Sequence, residues 1–272
     1  MSAVRRGIFG RAYVDLEPYV DVDELGALDA EICAGLCQVP TNYTGGSHKW
    51  MGIVPPSLAR DDYADYGQAI AAMTRDEFAR FVALSDTPEA FELDRQSEYE
   101  FGEEREWPLS RRQMRYLEFR YRVYFPWKVF YELMPNPSWE DRARADTAGF
   151  TREARRLFPR TVAFVERLPF ARVGRCNLLG LQSNDHGTIH RDAEDDPEVG
   201  HFITLCPRGD KRLFLWDERT GARTPIDHRA YWFDDRNYHG VEAAPHFRYS
   251  IRVDGVFTPR FLARLEREHG RA

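Results

Sequence analysis

The pattern of apolar and polar positions changes near residue 170. Before it, apolar residues recur at the three- and four-residue spacing of amphipathic helices, as in "DVDELGALDAEICAGLCQV" (21–39) and "TREARRLFPRTVAFVERL" (151–168). "RDDYADYGQAIAAM" followed by "TRDEFARFVAL" also reads as helix, with Thr74 as the N-cap. The aromatic run "RYLEFRYRVYFPWKVFYELM" (115–134) fits helix or strand, and Pro126, which lacks an amide N–H, breaks it in either case. Its stripe Tyr116, Phe119, Tyr121, Tyr124, Phe125 and Trp127 reads as core. "TNYTGGSHKWMGI" (41–53), ending near Trp50, reads as a glycine-hinged polar loop.

After residue 170 the helical period gives way to short β-rich runs divided by turn residues such as Gly187, Gly209, Gly221 and Pro245. Eight strands are expected: "RVGRCNLLGLQ", "TIHRD", "HFITLC", "RLFLWD", "RTPID", "AYWFDD", "HGVEA" and "FRYSIRVDGVF". A final amphipathic helix, "RFLARLEREHG", closes the chain. Eight short strands in about 90 residues predict an α+β chain built on a double-sheet, cupin-like jelly roll, or double-stranded β-helix. Residues 1–170 then form a mainly helical region beside the barrel and its substrate entrance. Residues 171–260 form the core and 261–272 the C-terminal helix, all within one domain.

Composition narrows the function classes. Apolar residues make up 43% of 272, and no apolar run nears the roughly 20 residues that span a bilayer. "MSAVRRGIFGRAYVDLEPYV" lacks the continuous apolar segment of a signal peptide, so a cytoplasmic protein with no membrane partner is expected. A net charge of −6 without a basic tract argues against nucleic acid. Cys33, Cys37, Cys176 and Cys206 form neither a zinc-finger pattern nor a disulfide framework, and read as packing residues. Arginine supplies nearly all the basic charge, with only Lys49, Lys128 and Lys211 as lysines.

The chemistry concentrates in "HGTIHRDAEDDPEVGHFITLC". At i and i+2 of a strand, His190 and Asp192 face the same side, while Arg191 points away. A third ligand from a distant strand, His239 in "FDDRNYHGV", would complete two imidazoles and a carboxylate on one face of a metal. That facial set leaves room for a co-substrate and O₂ on non-haem Fe(II). Nine residues after His239 comes "RYS", where Arg248 and Ser250 share a strand face and would clamp a carboxylate. Arg252 lies on the same face and competes for that role. His186, His228 and His246 read as turn residues. Glu194, Asp195 and Asp196 read as a solvated loop. Asp234 or Asp235 is placed to orient His239 through its second ring nitrogen, and Arg212 is an inward candidate.

HxD, a distal His and an RxS arginine together resemble the 2-oxoglutarate/Fe(II)-dependent oxygenases. "FDDRNYHGVEAAPHFRYSIRVDGVFTP" is similar to the aspartyl/asparaginyl β-hydroxylase superfamily, which includes bacterial proline hydroxylases. The similarity covers residues 172–260, about a third of the chain. It implies Fe(II) on His190, Asp192 and His239, and 2-oxoglutarate held by Arg248 and Ser250. Asn177 would contact the co-substrate from the opposite wall, and His201 would stand where some relatives offer a basic residue to its nearer carboxylate. The implied reaction uses O₂ to hydroxylate an aliphatic carbon of an amino acid, free or peptide-borne, releasing succinate and CO₂. Related halogenases replace the ligating acid by a small residue, so Asp192 favours hydroxylation. The alternative is a cupin-type metal isomerase or small-molecule binding protein without oxygen chemistry.

Overall fold

The eight strands after residue 169 pair as a long folded hairpin, first with last and inward from there. The computed structural model describes residues 4–39, 66–101, 107, 109–123, 129–134, 149–184, 186–192 and 199–270. Two short strands come first in the chain, β1 (Tyr13–Asp15) and β2 (Val129–Met134). The hairpin is β3 (Phe170–Leu181), β4 (Gly187–His190), β5 (His201–Leu205), β6 (Leu213–Trp216), β7 (Arg223–Pro225), β8 (Ala230–Phe233), β9 (His239–Val241) and β10 (Arg248–Phe257). β3 pairs with β10, β4 with β9, β5 with β8 and β6 with β7, all antiparallel. Contacts of β10 with β5 and of β6 with β9 complete two sheets, ordered β1-β8-β5-β10-β3-β2 and β4-β9-β6-β7. This is the expected α+β jelly roll. The larger sheet nevertheless takes both edge strands, β1 and β2, from the first 170 residues, where strand had been legible only as one of two readings of the 115–134 run.

One face of the larger sheet packs on α1 (Leu25–Leu36), α5 (Arg152–Leu157) and α6 (Pro159–Glu166). The single helix expected over 151–168 is two, because Pro159 cannot donate a hydrogen bond and instead opens α6. Glu31 of α1 accepts from the Arg160 and Thr161 amides at 2.9 Å, satisfying donors that the first turn of α6 leaves open. Tyr249, Ile251 and Val253 of β10 are buried on this helix-covered side, where the Tyr249 hydroxyl donates to Asp29 at 2.8 Å. Helix α7 (Pro259–His269) follows β10, capped by Thr258.

The chain divides into two compact units, Met1–Tyr43 with Val129–Ala272, and Thr44–Lys128. The second unit holds α2 (Tyr66–Ala71), α3 (Arg75–Val82) and α4 (Arg111–Tyr121) around Phe78, Phe81, Phe101 and Leu117. Thr74 caps α3 in a reciprocal box with Glu77, as the sequence predicts. Of the aromatic stripe, Tyr121 is buried and Tyr116 packs on this core, but Phe119 is 74% exposed. Tyr124, Phe125, Pro126 and Trp127 lie outside the described residues, as do the 41–53 loop and the acids 194–196. Among the described residues no helix is long and apolar enough to cross a membrane.

Candidate metal centre

The pairing of β4 with β9 sets His190 directly opposite His239. Their ring centroids are 4.3 Å apart. β4 ends at His190, and Asp192 returns to the same site because its amide donates to the Asp235 carbonyl at 3.0 Å. Asp192 Oδ1 then lies 3.3 Å from His190 Nε2 and 3.8 Å from His239 Nε2. One ligand atom from each residue falls within 4.8 Å of the others, and all three side chains are at most 9% exposed.

The protonation states favour a cation here. His239 Nδ1 lies 2.9 Å from the Asn237 carbonyl, which only accepts, so Nδ1 carries the proton and Nε2 the lone pair. That Nε2 is buried and has no hydrogen-bond partner. Burial, with the His190 ring beside it, pushes His239 down to about 4, so its imidazole is neutral at ordinary pH. Burial works against an ionised Asp192. Its contact with His190 and the charge of Arg252 outweigh it and hold the carboxyl well below the usual range. The neutral His239 imidazole, the His190 ring and a carboxylate, with a buried lone pair lacking a donor, fit a divalent transition metal.

Behind Asp192 runs a lattice of charges. Arg252 donates to Asp192, Asp235 and Asp254, and Arg175 donates to Asp254 at 2.6 Å. Arg252 is thus not spare for a co-substrate. Its place was legible in the alternation of β10, where Arg248, Ser250, Arg252 and Asp254 share one face.

Farther along that face Arg248 is fully buried, with one nitrogen donating to the Glu242 carbonyl. Ser250 is buried between Arg248 and Arg252. Lys211 was not read as a site residue, yet it is buried and donates to the Leu179 carbonyl at 3.1 Å, on the strand position opposite Ser250. Burial and then the Arg248 charge, against the opposing pull of Cys206 and Asp210, bring it down to about 8. Its being the lone lysine of the barrel region was the available signal. Asn177 faces Arg252 across the β3–β10 pair, on the same sheet and not on an opposite wall; its buried Oδ1 has no partner.

Several expectations are corrected. Neither Asp234 nor Asp235 orients His239: Asp234 pairs with Arg236 at 2.6 Å and Asp235 with Arg252, so a backbone carbonyl does that work. His201 lies on the opposite strand face, stacked 4.8 Å from Phe257 and accepting from its amide. Arg212 is turned outward to Glu242 and the Ala243 carbonyl. His228, His246 and His186 lie outside the strands, as expected: His228 approaches Asp15 at 3.6 Å, exposed His246 approaches Asp210 at 3.3 Å, and His186 is an exposed residue just before β4. As expected, Arg191 points away from His190 and Asp192, onto the Tyr238 ring. All four cysteines are free.

No protein-family profile matches the sequence, and no curated protein does. Partial structural matches include a 2OG-Fe(II) oxygenase family oxidoreductase from Burkholderia pseudomallei, at 12% identity and TM-score 0.29 over 45% of this chain and 65% of that one. AviO1 from Streptomyces viridochromogenes matches at 17% and 0.26 over 40% and 58%, and a Pseudomonas putida prolyl-4-hydroxylase at 15% and 0.24 over 38% and 59%. The chain spans less than two thirds of each of these proteins. Likenesses this partial do not identify it; the jelly roll rests on its own strand order.

Proposed function

We propose that the chain is an Fe(II)/2-oxoglutarate-dependent oxygenase that hydroxylates an aliphatic carbon of an amino acid, free or within a peptide. One observation carries the reading: His239 Nε2, a buried lone pair with no donor, converges with His190 and the ionised Asp192 on a point that a metal would fill. Bound Fe(II) would supply O₂ activation coupled to oxidative decarboxylation of the keto acid. Substrate, O₂ and 2-oxoglutarate give hydroxylated substrate, succinate and CO₂, so one oxygen atom enters each organic product.

The protein's share is binding, orientation and exclusion of water. Arg248 and Lys211 would hold the far carboxylate of the keto acid, with Ser250 as a third donor. Asn177 stands nearer the metal end, its unpartnered oxygen available to a bound donor. Phe233, whose ring lies 4.8 Å from His239, gives the site an apolar wall. The β-hydroxylase resemblance at the distal histidine and last strand supports an amino-acid substrate, as opposed to a nucleic acid.

The test is succinate formation by the purified protein with Fe(II), ascorbate, 2-oxoglutarate and a panel of amino acids and short peptides. Succinate that depends on Fe(II) and rises with one panel member is the expected result. Tight zinc retention with no turnover, or reaction that ignores 2-oxoglutarate, would instead assign the barrel to a metal isomerase or binding protein.

A further inference from the structure

We infer that Arg252 is a positioning residue that fixes Asp192 as a one-oxygen metal ligand before any metal arrives. The inference rests on the oxygenase reading only in taking Asp192 as a ligand.

Each nitrogen of the Arg252 fork has its own carboxylate: Nε donates to Asp254 Oδ1 at 3.0 Å, Nη1 to Asp192 Oδ2 at 3.2 Å and Nη2 to Asp235 Oδ2 at 2.8 Å. The Phe202 ring lies 4.0 Å from the guanidinium carbon, and Arg175 holds the other oxygen of Asp254. A planar fork fastened at three points and packed on a ring cannot turn toward another anion without breaking buried ion pairs.

What the fork does to Asp192 follows from which oxygen it takes. Oδ2 is occupied by Nη1, while Oδ1 faces His190 and His239. Asp235 grips the same residue a second time, because its backbone carbonyl accepts from the Asp192 amide. Asp192, Asp235 and Arg252 therefore form a closed ring of contacts joining the ends of β4 and β8 to the middle of β10. Within it the carboxylate can neither rotate nor offer both oxygens. A metal bound to Oδ1 alone keeps an additional position open for outside ligands. The lattice of Asp192, Asp235 and Asp254 with Arg252 and Arg175 also carries a net charge of −1, which favours a divalent cation.

The deciding experiment titrates the metal-free full-length protein with Co(II), following the visible absorption of the bound ion. The variants are Arg252→Lys, which keeps the charge but not the three-point fork, and Asp235→Asn, which nearly keeps the volume and an acceptor but removes the carboxylate charge that holds Arg252 Nη2. Wild type is expected to bind saturably. Arg252→Lys should weaken Co(II) roughly 10- to 100-fold and move its absorption bands, since loss of a partner behind a ligand typically costs that much affinity. Asp235→Asn should shift both in the same direction and decides the matter alone if Arg252→Lys does not fold. Variants that melt earlier yet match wild type in Co(II) affinity and spectrum would make Arg252 structural and overturn the inference. Tight binding by wild type alongside that result would leave the oxygenase reading standing; no binding by wild type would overturn both.

Discussion

Replacing Lys211 with Met should stabilise the empty protein and weaken its hold on 2-oxoglutarate. The lysine is 8% exposed and its ammonium is brought down from 10.5 to about 8, mainly by burial and then by the Arg248 charge. A shift of about 2.5 units corresponds to roughly 3 kcal/mol of cost for carrying the proton in the folded state. The direction follows from proton counts. Between pH 8 and 10.5 the unfolded chain binds the proton and the folded chain does not, so stability rises with pH there. Below about pH 8 both states are protonated and the cost is fully present. Methionine removes it but takes a donor from the Leu179 carbonyl, worth about 1 kcal/mol. The net gain at pH 7 is about 2 kcal/mol, fading toward pH 10. The same change deletes one charge-assisted hydrogen bond of about 1.5–3 kcal/mol to the keto acid, weakening it roughly 10- to 150-fold. Denaturant unfolding of both proteins at pH 7 and 9.5, with and without 2-oxoglutarate, measures every quantity. In wild type the keto acid should also bind more weakly as pH rises above about 8. A variant less stable without ligand, or equally stabilised by 2-oxoglutarate, would refute the reasoning.

Asp192→Ala should abolish Fe(II) binding, measured by equilibrium dialysis, while the circular dichroism spectrum stays that of the wild type; retained activity would remove Asp192 from the ligand set. Arg248→Ala should raise the KM for 2-oxoglutarate at least tenfold, whereas Arg252→Ala should act mainly on metal affinity. Equal effects on KM would mean the two arginines are misassigned. Gly240→Ala would bring a Cβ to 2.8 Å from the Phe214 ring and 3.0 Å from the Gly187 carbonyl, beside His239. It should cost roughly 1–3 kcal/mol by overpacking, read as a lowered Tm.

The barrel was legible because its signal is local. Period-two alternation and turn residues mark each of the eight strands, and the same period puts His190 and Asp192 on one side and Arg248 level with Ser250. β1 was not legible and β2 only as one of two readings of the 115–134 run, since three- and six-residue edge strands become strands only by pairing with β8 and β3. Lys211 and the Asn237 carbonyl were missed for a related reason. Lys211 reaches the site from the turn before β6, and the group that orients His239 is backbone, which no side-chain pattern reports.

Strand β10 explains why its two arginines cannot exchange roles. It runs through the middle of the larger sheet and is buried along nearly its whole length, a setting that ordinarily takes an apolar run. Yet Arg248, Ser250, Arg252 and Asp254 alternate there with Tyr249, Ile251 and Val253. Burying each charge costs several kcal/mol unless partners compensate. Arg252 is compensated within the protein by three carboxylates. Arg248 donates to the Glu242 carbonyl, and its charge disfavours the protonated form of buried Lys211. Together with burial, that makes the Lys211 ammonium costly in the folded state and favours an anion within its reach. Under the proposed function, a dicarboxylate co-substrate reaching from the His190/Asp192/His239 end of the barrel would meet both cations, a role that Arg252, held by its three carboxylates, cannot take.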